Sequence, residues 1–350
     1  MTEHQDGRAV EVAVVIVNFR STPLLIRCLE TIEMHGLNEP GIEVLVCENA
    51  SNDGSVDALR REISVRGWQD WVTLVPSAHN RGFTGGNNVL LRRLLNRESA
   101  PPFVMLLNPD TEVTPGSIAH LYRAMQSNPG WGAVGPRIED FEARPQTSCF
   151  NDPRPFGEFL RAAQTGPLDR WFARYRTPTI PPHGEGPHDW TSFAAAMIRT
   201  AALRQAGIFD EGYFAYYDDP DLCWRLRRCG WTIGHCPQAM IRHLEGASTG
   251  VRETRAARRR MPSYQARGRA RYFAKRHGIA GLWLANLGWH AGRVISFTRE
   301  LVERRPSHLP KAQWRDIWTN AFRPWHAPHL PHPPLEAEDE ATAEAMASSR

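Results

Sequence analysis

Between Phe103 and Pro115 the chain reads FVMLLNPDTEVTP, an unbroken apolar run that halts at Asn108-Pro109-Asp110. A run without polar alternation is buried on both faces, as in an interior strand of a largely parallel sheet. Three earlier runs share this character: VAVVIVN (12–18), EVLVC (43–47) and VTLV (72–75). Helical patterns separate them, beginning near Pro23, after Ser55 and after Phe83. This alternation predicts an α/β fold whose mostly parallel sheet is covered by helices on both faces. Such sheets hold ligands beyond their strand C-termini, where Asp110 stands ready for an anionic ligand and its metal. Asn-Pro and Asp are also turn formers, so the junction alone supports a simple turn equally well.

A length of 350 residues suits one large domain with appendages or two modest domains. Of 42 basic side chains only Lys275 and Lys311 are lysines. That bias fits genome composition as well as phosphate recognition, and a net charge of +4 decides little. The six cysteines have no CxxC spacing, and several fall in apolar periodic segments where reduced, buried thiols are the default. The N-terminus MTEHQDGRAVEV is polar and acidic, without a signal-peptide pattern, and nothing is apolar enough over sufficient length to span a bilayer. A cytoplasmic protein is expected.

The punctuation divides the chain further. Thr114 reads as an N-cap before Pro115, Thr200 starts a short helix closed by Gly207, and Asp219-Pro220 opens another that ends before Gly230. Residues 141–189 are rich in Pro, Gly and Arg and read as a variable lid or loop. One main domain is expected over 1–250, with a first half at about 10–135 and a second at about 136–250. Residues 252–276 then carry nine Arg and Lys275 against the single acid Glu253, a positive face or arm. Beyond it Ile279, Trp283, Leu287, Val294, Phe297 and Leu301 form a helical stripe. Such a helix either packs on the main domain or lies on a membrane surface beside the basic arm. The extension thus covers 251–326, and the Pro, His and acid-rich 327–350 reads as a disordered tail.

Four segments follow predicted strands: VIVNFR, ENASNDGS, HNRGFTGGNN and LLNPDTEVTPG. Their placement gathers Asn18, Glu48, Asn80 and Asp110 along one rim. Glu48 can accept from a base N–H, Asn49 and Asp53 can bond a ribose or cap the next helix, and Gly82, Gly85 and Gly86 allow close backbone approach to a nucleotide. Each segment is also an ordinary turn or capping sequence. Neither GxGxxG after the first strand nor GxxxxGK[ST] is present, which argues against a dinucleotide-binding dehydrogenase and a P-loop enzyme. In FDEGYFAYYDDPDLCWRLRRCGW (209–231), Asp218, Asp219 and Asp221 sit beside aromatics at a loop-to-helix junction. A helix N-terminus favours an ionised carboxylate, so capping and general-base roles are compatible there. His243 follows a further strand-like stretch and could equally be a surface histidine.

VNFR, ENASNDG, NRGFTGGNN, LLNPDT, FDEGYFAYYDDPDLCWR and HLEGAST occur in the order seen in family 2 glycosyltransferases. From about residue 12 to 250 the chain resembles that family, which has a GT-A fold, and is most similar to bacterial rhamnosyltransferase-like members that build cell-surface polysaccharide. The resemblance implies a donor site for a nucleoside-diphosphate sugar at Asn18, Glu48, Asn49, Asp53, Asn80, Gly82, Phe83, Gly85, Gly86, Asn87, Asn108 and Asp110. It further implies a divalent cation, Mg²⁺ or Mn²⁺, on Asp110 and His243, with Asp219 as the base that deprotonates an acceptor hydroxyl. Trp190, Phe193 and Asp218 would lie on the acceptor side, where a saccharide or lipid-linked saccharide is attacked with inversion.

Four departures bear on this. Glu48 replaces the commoner Asp, Asp218 replaces Glu, and Phe193 replaces Gly, so that a bulky ring is expected to reshape the acceptor pocket. Asn108-Pro109-Asp110 stands where many relatives have a two-carboxylate DxD. The rival readings are a non-catalytic sugar-nucleotide-binding protein and a nucleotidyltransferase, although VNFRSTPLL lacks the lysine-containing triphosphate loop of the latter. No nucleic-acid recognition motif accompanies the basic arm. Peripheral contact with the inner face of the cytoplasmic membrane is the expected use of the arm and helix.

Overall fold

A computed structural model of the chain describes residues 9–37, 40–177, 188–244, 254, 257–304, 306–307 and 309–326. The loop after Leu244 and the expected tail at 327–350 lie outside these residues. The first half is built from β1 (Val12–Asn18), α1 (Thr22–His35), β2 (Ile42–Glu48), α2 (Ser55–Val65), β3 (Val72–Pro76), α3 (Gly82–Leu95), β4 (Phe103–Leu107), β5 (Thr111–Val113), α4 (Ser117–Ser127) and β6 (Trp131–Glu139). It continues through β7 (Pro145–Gln146), β8 (Cys149–Phe150), α5 (Pro155–Ala163), α6 (Gly166–Trp171), β9 (Trp190–Thr191), β10 (Ala195–Arg199), α7 (Thr200–Ala206), α8 (Asp218–Arg228) and β11 (Thr232–His243). Two further helices follow, α9 (Ser263–Val302) and the short α10 (Gln313–Asp316).

The main sheet has the order β3-β2-β1-β4-β10-β6-β11-β5, with β7 on β6. The first four strands pair in parallel, as the apolar runs predict, but β10 is antiparallel to both β4 and β6, and β5 is antiparallel to β11. The sheet is therefore mixed. Period-two alternation divides β1 between two cores: Val12, Val14 and Ile16 pack with Leu25, Leu29, Leu121 and Met125, whereas Ala13 and Val15 pack with Leu90, Leu94, Leu203 and Leu222. Burial of each such valine or leucine contributes about 1.5–3 kcal/mol, which fixes the register that places the strand ends.

Three sequence expectations change. Helix α4 starts after Gly116 (φ 75°) and not at Thr114, whose hydroxyl donates instead to the Met240 carbonyl at 2.6 Å. The segment expected to be a lid contains α5 and α6, because Pro155 supplies the fixed φ of a first helical turn and Leu160, Ala162 and Ala163 are buried. Part of the expected basic arm is tied down and part stays exposed, as at Arg258 and Arg259. In α9, Arg269 pairs with Glu158, Arg271 and Lys275 with Asp210, and Arg276 with Asp152, so these cations hold the extension to the catalytic part.

Helix α9 is interrupted at Gly278 (φ 72°, ψ 173°), a conformation open to glycine. Beyond it the helix packs on the domain through Leu282, Ala285, Asn286, Trp289, Gly292 and Ser296. A Cβ at position 292 would lie 2.2 Å from the Phe159 carbonyl oxygen, which shows how closely this face meets α5. The stripe predicted from sequence points the other way: Leu287, Val294 and Leu301 are 55%, 63% and 62% exposed.

Candidate active site

The strand ends bring the predicted rim together. Asn18 is buried at the end of β1, accepting from Ser21 Oγ at 3.0 Å and donating to Thr22 Oγ1 at 3.2 Å. Its carbonyl accepts from the Asn49 amide at 2.8 Å, which joins the first two motifs. Glu48 is held by the Ser51 amide at 3.1 Å and by the Ser51 hydroxyl. Asn49 donates to Asn80 Oδ1 and to the Gly82 carbonyl, each at 3.0 Å, and accepts from the Arg81 amide. Asp53 is exposed and holds Ser55 in the first turn of α2, and that hydrogen bond lowers its pKa.

The glycines of NRGFTGGNN are close-packing positions within α3. Gly82 has φ 67°, and a Cβ there would meet the Phe214 carbonyl oxygen at 2.2 Å. At Gly86 a Cβ would meet Val17 at 2.7 Å, and at Gly85 it would meet Arg81 at 2.5 Å. Phe83 uses its amide to reach the Phe214 carbonyl at 2.8 Å, and Asn87 donates to the Phe83 carbonyl at 2.9 Å. The sequence reading missed Asn88, whose side chain donates to the Phe209 carbonyl and accepts from the Phe209 amide, both at 3.0 Å. Its signal was a second Asn in an otherwise apolar helical pattern. Asn88 ties the glycine-rich helix to the FDEGYF loop that leads to Asp219.

At the central junction, β5 pairs with β11 so that Thr111 lies opposite His243, and the Leu244 amide donates to the Asp110 carbonyl at 3.0 Å. This pairing carries His243 Nε2 to 3.4 Å from Asp110 Oδ1 across more than a hundred residues. Asp110 Oδ1 and Asn108 Oδ1 are both buried without a hydrogen-bond partner. Unpaired buried acceptors beside an imidazole suit a hard divalent cation, so Asn108, Asp110 and His243 fit the expected metal. Among the described residues no group of three or more His, Cys, Asp or Glu converges. A metal here would need oxygen ligands from another source.

Asp218 and Asp219 begin α8 after Tyr216 (φ 68°) and Tyr217 (φ 67°), two consecutive left-handed residues of the kind found where function outweighs local strain. Asp219 Oδ2 accepts from the Phe193 amide at 3.2 Å, and the next carbonyl, that of Ala194, accepts from the Asn108 amide at 2.8 Å. Two consecutive residues thus bridge the base position and the metal position, and their Cα atoms lie only about 3.8 Å apart.

The Phe193 ring, expected to reshape the acceptor pocket, is fully buried in the turn between β9 and β10, where it packs edge-on against Phe209 and does not line the cavity beside Asp219. Nor does the helix N-terminus hold the Asp219 pKa low. Burial pushes it up to about 6 despite the Phe193 hydrogen bond, while burial beside Asp219 carries Asp218 well above the usual range. Burial and mutual repulsion therefore oppose ionisation of both carboxyls together, and Asp218 is the one that holds its proton more tightly.

Asp219 opens into a cavity of about 510 Å³ whose lining includes Trp190, Tyr216, Arg161, Gln265 and Lys311. Trp190 stacks on Phe150 with ring centroids 4.0 Å apart. A flat aromatic wall, a half-buried carboxylate and several hydrogen-bond donors suit a polar ligand with hydroxyl groups. Half of this wall comes from the extension: Met261, Pro262, Gln265, Ala266, Arg269 and residues 309–317.

Comparison with known proteins agrees with this geometry. Over 318 residues the chain is 31% identical to the N-acetylglucosaminyl-diphospho-decaprenol L-rhamnosyltransferase of Mycobacterium tuberculosis, covering 87% of this chain and 96% of that protein. It is 30% identical over 234 residues to the low-salt glycan biosynthesis hexosyltransferase Agl10 of Haloferax volcanii, covering 65% and 64% of the two chains. The mannosyltransferase PcManGT from Pyrobaculum calidifontis, solved with GDP-Man and Mn²⁺, superposes with a TM-score of 0.53 at 17% identity, over 90% of this chain and 85% of its own. GalNAc-T7 with UDP, GalNAc and Mn²⁺ gives a TM-score of 0.53 at 13% identity, over 85% and 58%. These neighbours establish the GT-A type fold. The family model described as glycosyltransferase like family 2 matches residues 9–261, and the chain belongs to that family.

Proposed function

We propose that this glycosyltransferase moves rhamnose or another hexose, with inversion and with a divalent cation, from a nucleoside-diphosphate sugar to a lipid-linked saccharide. It would serve cell-surface polysaccharide assembly at the cytoplasmic face of the cytoplasmic membrane. The observation that carries this reading is the Phe193-Ala194 bridge, which sets the Asp219 carboxylate beside the Asn108 and Asp110 junction. A relative covering most of the chain acts, by its name, on a diphospho-decaprenol acceptor, which supports the acceptor class.

The chemistry follows from these groups. Mg²⁺ or Mn²⁺ held by Asp110 and His243, with Asn108 and the donor diphosphate completing the shell, would neutralise charge on the leaving group. Asn18, Glu48, Asn49 and Asn80 form the rim on which the nucleoside would rest. Asp219, ionised above about pH 6, accepts the proton of the acceptor hydroxyl, while Asp218 keeps its own proton and stabilises the neighbouring charge. Attack from the cavity side opposite the diphosphate inverts the anomeric carbon.

The test is transfer from a panel of nucleoside-diphosphate sugars to an N-acetylglucosaminyl-diphospho-lipid, with the product anomer assigned by NMR. An inverted anomer is expected. Retention would overturn the mechanism, and donor binding without transfer or hydrolysis would favour a sugar-nucleotide-binding protein.

A further inference from the structure

Among the exposed residues from Gly278 to Val302, none is charged: Ile279, Trp283, Leu284, Leu287, Val294, Phe297, Leu301 and Val302 are apolar, and Thr298 is the one polar side chain. The inward face buries Leu282 and Trp289 beside small residues, yet the larger number of bulky apolar side chains faces outward, and the hydrophobic term disfavours leaving them in water. The inward face is fixed by close fits, including Gly292 against α5, so the outward stripe is imposed by the fold. The strip also continues onto the C-terminal segment. Phe322 meets Trp283 with ring centroids 5.0 Å apart, and the Trp283 indole donates to the Ala321 carbonyl at 3.1 Å.

That segment carries the other half of the evidence. Trp314, Phe322 and Trp325 are exposed, and so are Lys311, Arg315 and Arg323. The one acid within residues 311–326, Asp316, is bound by Arg260. Apolar side chains with tryptophans at the margin, beside arginines that have no ion pair among the described residues, have the composition of a surface that lies in the headgroup region of an anionic bilayer. A two-fold copy of this chain would instead set the cationic margin against itself. We infer that residues 279–302 together with Trp314, Phe322 and Trp325 form the face by which the protein seats on an anionic lipid surface.

This deepens the membrane placement proposed above and rests on it. It also gives that placement a geometry. Helix α10 presents Gln313 and Asp316 to the acceptor cavity and leaves Trp314 64% exposed, so one turn of helix separates the cavity from the apolar face. A lipid-linked acceptor could place its sugar near Asp219 while its hydrocarbon stays with the bilayer.

The experiment is cosedimentation of the full chain with vesicles of phosphatidylcholine alone and of phosphatidylcholine and phosphatidylglycerol in equal parts. The expected result is binding to the anionic vesicles, weakened roughly tenfold or more by L287D together with F297D. R315Q with R323Q should lose the anionic preference and keep residual binding. All these positions are exposed, so unchanged thermal melting is the check on folding. Wild-type protein that sediments with neither vesicle would overturn the membrane placement itself. Vesicle binding unaltered in both variants would overturn this surface and leave the placement standing. A dimer in analytical ultracentrifugation that L287D with F297D dissociates, without vesicle binding, would assign the face to a second copy.

Discussion

Replacing Asp219 by asparagine should damage catalysis and stabilise the fold at once, a combination that loss of structure cannot produce. The carboxyl is raised from an ordinary 3.8 to about 6, mainly by burial. The native state therefore holds this proton more tightly than the unfolded chain. The stabilisation is complete below about pH 3.8 and is lost as pH rises through about 6. Two pKa units correspond to roughly 3 kcal/mol, and the opening to the cavity reduces this to about 1–3 kcal/mol. The introduced amide is neutral at every pH and retains an oxygen that can accept from the Phe193 amide. Urea denaturation at pH 8 and pH 4 should show the variant gaining about 1–3 kcal/mol over wild type at the higher pH only. Transfer should fall by roughly 10²–10⁴-fold with donor binding retained in calorimetry, and the wild-type rate should decline as pH drops through about 6. A variant less stable than wild type at pH 8 would refute the burial argument, and normal turnover would refute the role of Asp219.

The other predictions concern the metal, the glycine-rich helix and the docked extension. Manganese titrated alone should bind negligibly, and it should bind once a nucleoside diphosphate is added; D110N should weaken that second binding by about tenfold or more in calorimetry. Tight metal binding without nucleotide would show that the protein supplies a complete shell. Gly82→Ala should lower the free energy of unfolding by at least about 2 kcal/mol in urea titrations, because it combines a positive φ with a Cβ 2.2 Å from the Phe214 carbonyl oxygen. Arg269→Met should cost about 3–5 kcal/mol by leaving Glu158 buried beside Arg161 alone, and E158Q in the same chain should recover part of that loss. Although burial pushes Glu158 up, Arg161 and Arg269 pull its pKa down to about 2. Its stabilisation is therefore present above pH 4.5 and lost as pH falls toward 2, and wild-type melting temperature should track that window while R269M does so more weakly.

The strands of the donor half are legible in the sequence because each is an unbroken apolar run closed by turn residues, and both signals are local. The ends of those strands fix where Asn18, Glu48 and Asp110 stand, so the rim follows from the runs. Pairing of β5 with β11 is not local, yet the ordered motifs anticipated that His243 would return to Asp110. Phe193 was read as facing the acceptor, whereas the turn between β9 and β10 aims its ring at Phe209, a partner that no neighbouring residue reveals. The stripe in α9 shows the limit of periodicity most clearly: spacing locates an apolar face but does not say whether protein or solvent meets it. The covered face uses Ala285, Gly292 and Ser296, whose contribution is closeness of approach and leaves no mark on hydropathy. Likewise the acidic partners of the basic arm lie 54 to 124 residues away, so a run of arginines read alone resembles a free positive surface.

The extension belongs to the active site in a physical sense. Asp219, the proposed base, follows Tyr216 and Tyr217, whose left-handed backbone costs about 1–3 kcal/mol each and persists only where surroundings over-determine it. Those surroundings are residues of α9. Tyr264 stacks on Tyr216 with the rings 5° from parallel, and Tyr217 packs against Tyr272 at 5.7 Å. Gly268 approaches so closely that a Cβ there would lie 2.8 Å from the Tyr216 carbonyl oxygen. The ion pairs of Arg269, Arg271 and Lys275 then hold this helix against the domain. The part of α9 before Gly278 clamps the strained turn before Asp219 and walls the cavity, and the part after it carries the outward apolar face. Any displacement of the apolar segment would therefore have to cross the Gly278 break before it reached the tyrosine turn.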